Sequence, residues 1–324
     1  MLKALIVGNA IDSSNILEKV RSEFKTTEVS NEFFQRNKLT LLPANDLIWI
    51  HVETVLGKKD RLLLKNNVII STTSTGYTHI AKEIVDFLGE RLITLKGEEK
   101  LLGEITSTAE LTWMLILMGA TKGNLAMERV KAGDWDRKAN IRDMQISSMK
   151  IGILGFGRLG KMVSKYARAF GSTVYVWDTD SLARENAMSA GFHVVSDFKE
   201  LLQLSDLVTV HVNTFPGRSP IITSDVLKNS KRGLVLVNTS RGSIVDEEDI
   251  TESIKSGVLA MYLTDVLKFE EEAGKLEYSP LWQFSVNDSR IVITPHIGGA
   301  SRDAMHLCEE NILERVKKAI HKAK

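Results

Sequence analysis

Four short stretches of this 324-residue chain carry side chains that could do chemistry together. The first is Ile151-Gly152-Ile153-Leu154-Gly155-Phe156-Gly157-Arg158-Leu159-Gly160, a glycine pattern that follows an apolar strand-like run. It opens a helical stretch, Lys161–Phe170, that closes at Gly171. Gly155 permits a tight turn, and Gly157 lets backbone approach a pyrophosphate. Gly160 lets the helix pack closely on the strand, and the helix N-terminus stabilises the anion. The next strand-like run ends at Asp178, twenty-three residues after Gly155. A carboxylate there can accept hydrogen bonds from both hydroxyls of an adenosine ribose, and it repels a 2′-phosphate. Thr179-Asp180 beside it offers no arginine, so NAD rather than NADP is the expected cofactor.

The other three stretches place polar residues just beyond strand ends, where open α/β sheets put their ligands. Leu236-Val237-Asn238-Thr239-Ser240-Arg241-Gly242 offers an arginine able to clamp a carboxylate with two parallel hydrogen bonds. Thr264-Asp265-Val266-Leu267-Lys268-Phe269-Glu270 brings acidic groups. Ile293-Thr294-Pro295-His296-Ile297-Gly298-Gly299 brings a histidine that titrates near neutral pH and can exchange the proton that accompanies hydride transfer. A carboxylate beside His296 would raise its pKa and orient the ring.

These stretches need a scaffold, and the chain outlines one. The runs Lys3–Val7, Leu47–Val52 and Asn67–Ser71 are too short and too apolar for helices and read as buried strands, with amphipathic stretches such as Ile16–Phe24 between them. Thr108–Thr121 reads as a long apolar helix. A second series of strands follows at Lys150–Leu154, Thr173–Trp177, Leu207–Val212, Leu234–Asn238, Ala260–Thr264 and Arg290–Thr294, and a helix over Ser301–Ala319 closes the chain. Strands alternating with helices predict parallel α/β layers, and the length suits two domains. Lysine and arginine total 42 against 41 acids, a net charge of +1 that offers no field for nucleic acid or an anionic membrane. Cys308 is the single cysteine, which excludes an internal disulfide and fits a reducing compartment. The apolar run Leu111–Ala120 is about half of the roughly 20 residues that a membrane span needs. No segment reads as a signal peptide, so a cytosolic protein is expected. No metal-ligand spacing stands out.

In Ser71–Gly76, Ser107–Glu110, Gly155–Gly160, His211-Val212-Asn213, Asn238–Gly242, Asp265–Glu270 and Pro295–Gly299, in this order, the sequence resembles the D-isomer-specific 2-hydroxyacid dehydrogenases. The resemblance covers the chain from about Asn67 to Ser301. It implies two doubly wound parallel-sheet domains, Rossmann-like and flavodoxin-like, with a cleft between them. Residues 106–298 would bind NAD, and residues 1–105 with 299–324 would form a discontinuous substrate domain. It also implies a catalytic trio: Arg241 on the substrate carboxylate, His296 as acid/base and Glu270 holding it. Backbone at Thr75 and Gly76 would meet the substrate carboxylate. The family's cofactor contacts carry onto Gly155, Gly157, Arg158, Leu159, Gly160, Asp178, His211, Val212, Asn213, Thr239, Ser240, Arg241, Asp265, His296, Gly298 and Gly299, with Thr108 on the nicotinamide side. Relatives pair as homodimers through the arm that includes Lys131–Trp135. The implied reaction interconverts a D-2-hydroxy acid and its 2-oxo acid. The rival reading is a corepressor-like, non-catalytic NAD sensor on the same fold.

Several residues depart from the pattern or leave it open. Relatives follow the catalytic glutamate with proline, whereas here Glu270-Glu271-Glu272 forms an acidic run; five residues on from Asp265 selects Glu270 over Glu271. Ala81 replaces an aspartate and is expected to loosen a helix cap. Asn213 replaces a proline, Thr214–Ser219 has lost the usual form, and Phe269–Trp282 is longer than usual. His51 stands at a strand end that could face substrate, while a structural role is the plainer reading. His79 reads as structural and His211 as cofactor rim or packing. A phosphorylated substrate would call for clustered basic residues in the N-terminal loops, where Arg36, Lys38, Lys58 and Lys59 are scattered. The sequence ends soon after its last helix, so the regulatory domain of some phosphoglycerate dehydrogenases is not expected.

Overall fold

A computed structural model describes all residues except 78, 141–143, 214–218, 272–274 and 323–324. Of the expectations above, the altered form of Thr214–Ser219 falls almost wholly outside the described residues, and so does the middle of Phe269–Trp282. The chain divides into two compact units, Met1–Ile105 with Ala300–Lys324, and Thr106–Gly299. The second crossing falls one residue beyond the expected 298/299 junction.

In the first unit, β1 (Lys3–Val7), β2 (Lys25–Val29), β3 (Leu47–Ile50), β4 (Ile69–Ser71) and β5 (Leu92–Ile93) pair in parallel in the order β2-β1-β3-β4-β5. The apolar runs bury both faces, as a sheet covered by helices on two sides requires. Leu5, Val7, Ile48, Ile50 and Ile70 pack on one face with Phe34 and Ile84. Ala4, Ile6, Leu47, Trp49 and Ile69 pack on the other. There the helix Ser14–Glu23 contributes Ile16 and Val20, and the C-terminal helix Arg302–Lys322 contributes Ile312, Leu313 and Val316. Those last residues tie the end of the chain to its start.

Glu309 on the C-terminal helix is 1% exposed and accepts hydrogen bonds from the N–H groups of Asp12 (2.7 Å) and Ser13 (3.0 Å). It thereby holds the loop after β1, and burial pushes its carboxyl up from the ordinary range. Ala81 precedes the helix Lys82–Leu88 in extended backbone and supplies no side-chain cap, as its replacement of an aspartate leads one to expect.

The second unit holds β6 (Lys150–Leu154), β7 (Thr173–Trp177), β8 (His193–Val194), β9 (Leu207–Val210), β10 (Leu234–Asn238), β11 (Leu259–Thr264) and β12 (Ile291–Ile293). They form one parallel sheet in the order β12-β11-β10-β9-β6-β7-β8, a doubly wound arrangement that reverses direction between β6 and β9. The helix Ser107–Thr121 lies so close to this sheet that a Cβ on Gly119 would stand 2.7 Å from Val235 Cγ1 and 2.9 Å from Leu263 Cδ1. By length and composition alone, the helical stretch Glu99–Thr121 is apolar enough to cross a membrane. In the fold, Ala109, Trp113, Leu115 and Ile116 of that stretch are core residues of the second unit.

Candidate active site

The glycine loop lies at the reversal of strand order. Gly155 has φ +98°, and a Cβ on it would stand 2.7 Å from the carbonyl oxygen of His211, which follows β9. A Cβ on Gly160 would stand 2.0 Å from the carbonyl oxygen of Gly155, so the helix Arg158–Ala169 could not pack here with any side chain at that position. Around Gly157 the opposite holds: a Cβ would meet no protein atom within 4 Å. No side chain caps the helix that follows. Packing thus explains two of the glycines, while the third faces open space at a helix N-terminus, which is where a pyrophosphate would lie. Arg158 and Leu159 form the first turn of that helix.

Asp178 follows β7. Its Oδ2 accepts from the N–H of Phe156 in the glycine loop (2.7 Å), and Oδ1 accepts from the N–H of Asp180 (2.9 Å). The carboxylate is therefore tied to the glycine loop and keeps lone pairs for a further donor. Arg184, one helical turn on, donates to the carbonyls of Asp178 (2.6 Å) and Thr179 (3.0 Å). It shapes this corner from the backbone side, and spacing around Asp178 alone does not reveal it.

His211 is half-buried. Its Nε2 pairs with Thr209 Oγ1 (3.1 Å), and its buried Nδ1 has no partner among the described residues. Burial pushes its pKa down to about 3, so the ring is neutral and supplies no proton at physiological pH. Val212 is half-buried beside it and Asn213 exposed.

The catalytic candidates converge through three loops. Asn238, fully buried at the end of β10, donates from Nδ2 to the carbonyl of Arg241 (2.9 Å), and its Oδ1 accepts from the N–H of Ser240 (3.0 Å). This clamps the turn that carries Arg241. Ser240 Oγ donates to the carbonyl of Val210 (2.8 Å), and Thr239 Oγ1 pairs with Thr112 Oγ1 (2.7 Å). Thr112 Oγ1 also lies 2.7 Å from the carbonyl of Thr108, on the first turn of the helix Ser107–Thr121. Arg241 is exposed, with Nη1 resting on the carbonyl of Ser240 (2.7 Å).

Glu270, in the turn Lys268–Glu271, accepts from the N–H of Leu267 (2.7 Å) through Oε1 and contacts His296 Nδ1 through Oε2. Glu270 is thus the member of the acidic run that meets the histidine. Glu247, 6% exposed, anchors the same turn: it accepts from the N–H of Lys268 (2.9 Å) and from Ser279 Oγ (2.7 Å).

Asp265, 2% exposed, spends its carboxylate on the next loop. Oδ1 accepts from Thr294 Oγ1 (2.6 Å) and the N–H of Ile297 (2.9 Å), and Oδ2 accepts from the N–H of Gly298 (2.7 Å). Placed among the cofactor contacts by resemblance, Asp265 here holds the loop that contains His296, Gly298 and Gly299. His296 itself has φ +53°, in the left-handed region that a histidine seldom adopts, and Asp265 grips the chain on both sides of it. A Cβ on Gly298 would stand 2.9 Å from Asp265 Oδ2 and 3.1 Å from Thr108 Cγ2.

The His296 pKa is raised from its ordinary value, chiefly by the hydrogen bond to Glu270. Burial opposes the shift, the charges of Glu270 and Asp265 add to it, and Arg241 works against it. An arginine and a carboxylate-backed histidine, with Nε2 of the ring turned away from the carboxylate, suit a substrate that bears both a carboxylate and an oxygen that gains or loses a proton. In the other unit, Thr75 is exposed in the loop after β4, and neither its N–H nor that of Gly76 has an acceptor among the described residues. Among those residues, no group of three or more His, Cys, Asp or Glu side chains could hold a metal.

The family model for the D-isomer specific 2-hydroxyacid dehydrogenase NAD-binding domain matches residues 113–298. A D-3-phosphoglycerate dehydrogenase of Methanocaldococcus jannaschii is 32% identical over 214 residues, 66% of this chain and 39% of the relative. The chain therefore spans well under two thirds of that relative's length. A hydroxypyruvate reductase of Thermotoga maritima is 25% identical over 294 residues, 90% of this chain and 91% of the relative. The solved D-lactate dehydrogenase of Aquifex aeolicus, complexed with NAD and lactic acid, shares the fold with a TM-score of 0.80 at 22% identity, covering 99% of this chain and 96% of that one. Open space at Gly157, the acceptor at Asp178 and the neutral His211 all suit the dinucleotide that the family model names. This chain belongs to the D-isomer specific 2-hydroxyacid dehydrogenase family and carries its NAD-binding domain.

Proposed function

We propose that the protein is an NAD-dependent oxidoreductase that interconverts a D-2-hydroxy acid and its 2-oxo acid. The observation that carries this reading is the Glu270–His296 contact beside Arg241. Bound NADH supplies the hydride in the reductive direction. Arg241 binds the substrate carboxylate and draws electron density from the 2-oxygen. Protonated His296 donates its Nε2 proton to that oxygen, and Glu270 stabilises the charged ring until the proton leaves. In the oxidative direction neutral His296 takes the hydroxyl proton. Asp178 accepts from the adenosine ribose, while Gly157 and the helix behind it accept the pyrophosphate.

The same reading makes the protein a cytosolic homodimer. What supports the dimer is the exposure of Met114, Met127, Val130 and Trp135 along the helices Ser107–Thr121 and Gly123–Lys131 and the turn beyond them.

The test follows NADH consumption with a panel of 2-oxo acids, for the natural protein and for Arg241→Ala. Turnover of a panel member, with a KM raised and a kcat lowered in the variant while NADH affinity holds, is the expected result. NADH binding without turnover of any 2-oxo acid would favour the NAD-sensing reading.

A further inference from the structure

Glu270 meets His296 only where the turn Lys268–Glu271 stands in one place, and little within the turn decides that place. The bond from the N–H of Leu267 to Glu270 Oε1 (2.7 Å) belongs to the turn and travels with it. Lys268, Glu270 and residues 275–278 are exposed, and Phe269 is only partly buried against the core. The chain leaves the interior at the buried Leu267 and returns to it at the buried Ser279. Both ends of this excursion are bonded to one side chain. Glu247 Oε1 accepts from the N–H of Lys268 (2.9 Å), and Oε2 accepts from Ser279 Oγ (2.7 Å).

Glu247 is itself fixed. It opens the helix Glu247–Lys255, whose Ile250 and Ile254 are fully buried, and Asp246 caps that helix by accepting from the N–H groups of Glu248 and Asp249 (3.1 Å each). Ser279 is fixed as well: its Oγ accepts from the N–H of Trp282 (3.2 Å), and Leu281, two residues on, is fully buried. A buried carboxyl is costly whenever one of its oxygens lacks a donor. Every placement of the segment 268–279 other than the docked one therefore strands an acceptor in the interior. The apolar contact of Phe269 is non-directional and imposes no such register. His296 is held separately, through the grip of Asp265 on Thr294, Ile297 and Gly298. The histidine and its glutamate thus hang from two different buried carboxyls.

We infer that Glu247, together with Ser279, is a positioning residue: it latches both ends of the segment 268–279 and so keeps Glu270 on His296. The charges that act on the His296 ring are those of Glu270, Asp265 and Arg241. Glu247 has no direct part in that set, so its removal reaches the ring by moving Glu270. Tyr262 on β11, a titratable group that feels the charge of Glu247, keeps its own proton, because burial pushes its phenol up to about 12. The inference rests on the reading of Glu270 and His296 as an acid/base pair and adds the residue that aligns them.

The experiment titrates His296 by NMR in the full chain with labelled histidine and no substrate, the signal being assigned with His296→Gln. Thermal unfolding confirms that each variant folds. Glu270→Gln should lower the His296 midpoint by about one pH unit. Glu247→Gln keeps the size of the side chain and an acceptor for Lys268, but its amide cannot accept from Ser279; it should lower the midpoint by about half a pH unit or more. Ser279→Ala, which removes one arm of the latch and leaves the other, should act in the same direction. Ser279→Thr restores the hydroxyl and should return the midpoint to its starting value. Because Glu247 acts through Glu270, the double variant Glu247→Gln/Glu270→Gln should titrate with Glu270→Gln alone. A midpoint unmoved in folded Glu247→Gln and Ser279→Ala would overturn the inference, and so would a double variant that moves beyond Glu270→Gln. The titration needs no turnover, whereas the dehydrogenase reading is judged by NADH consumption, so each can fail without the other.

Discussion

The backbones of Gly242 and Leu267 touch: a Cβ on Gly242 would stand 2.1 Å from the carbonyl carbon of Leu267 and 2.3 Å from the nitrogen of Lys268. Gly242 follows Arg241 directly, and Glu270 accepts from the N–H of Leu267. A glycine without catalytic atoms thus sets the distance between the arginine and the carboxylate that backs His296.

Gly242→Ala is therefore expected to act on chemistry through position. The added methyl must push the 267–270 turn away, and a shift of about 1 Å in a reacting group costs about 100-fold in kcat. NADH affinity, measured by fluorescence, should change far less. An unaltered kcat in this variant would mean that the turn yields freely.

The Glu270 carboxylate predicts a pH dependence. Its hydrogen bond raises the His296 pKa, so the protonated ring, the form needed for reduction, persists above the ordinary value of about 6.5. Reduction should fall as pH rises through that raised value. In Glu270→Gln the falling limb should move to lower pH, with kcat down by about 100-fold. The linked stability has the same sign: it is fully present below the ordinary histidine value and lost as pH rises through the raised one. A limb that stays in place in the Glu270→Gln variant would remove Glu270 from this role.

Asp178 accepts from the N–H of Phe156, and the proposed function gives it a second job as acceptor for a ribose. Asp178→Ala should weaken NADH binding and erode the preference for NADH over NADPH, read as the ratio of their dissociation constants. If discrimination persists, the ribose lies elsewhere.

Ala81→Asp restores a cap where the backbone is already extended and the helix Lys82–Leu88 lacks one. The expected gain is about 1 kcal/mol, seen as a higher Tm. An unchanged or lower Tm would show that the helix end is satisfied by other means.

The chemistry is legible wherever function imposes fixed spacing within one loop. The glycine pattern, Asp178, Arg241 and His296 all sit just beyond a strand that is mostly apolar, and such strands announce themselves. β2 does not: Lys25-Thr26-Thr27-Glu28-Val29 is a polar edge strand whose pattern differs little from a loop. β5 and β8, at two residues each, are too short to carry any periodicity.

The choice between Glu270 and Glu271 is a matter of three dimensions, made by the N–H of Leu267 and the ring of His296. Glu247 is hidden inside the acidic run Asp246-Glu247-Glu248-Asp249. A signal is present all the same, because Glu247 shares a helical face with Ile250, Thr251 and Ile254, all buried. A carboxylate on a core stripe needs partners, and these are Lys268 and Ser279. Glu309, on a buried stripe with Ile312, Leu313 and Val316, follows the same logic.

The methyl of Thr108 and the α-carbon of Gly298 are neighbours, although almost the whole NAD-binding unit lies between them in sequence. A segment whose two ends meet is a cassette: it closes its own core and asks of its host only two adjacent attachment points. Residues 106–299 could therefore be lifted out as a free-standing NAD-binding module, or ported whole into an unrelated chain.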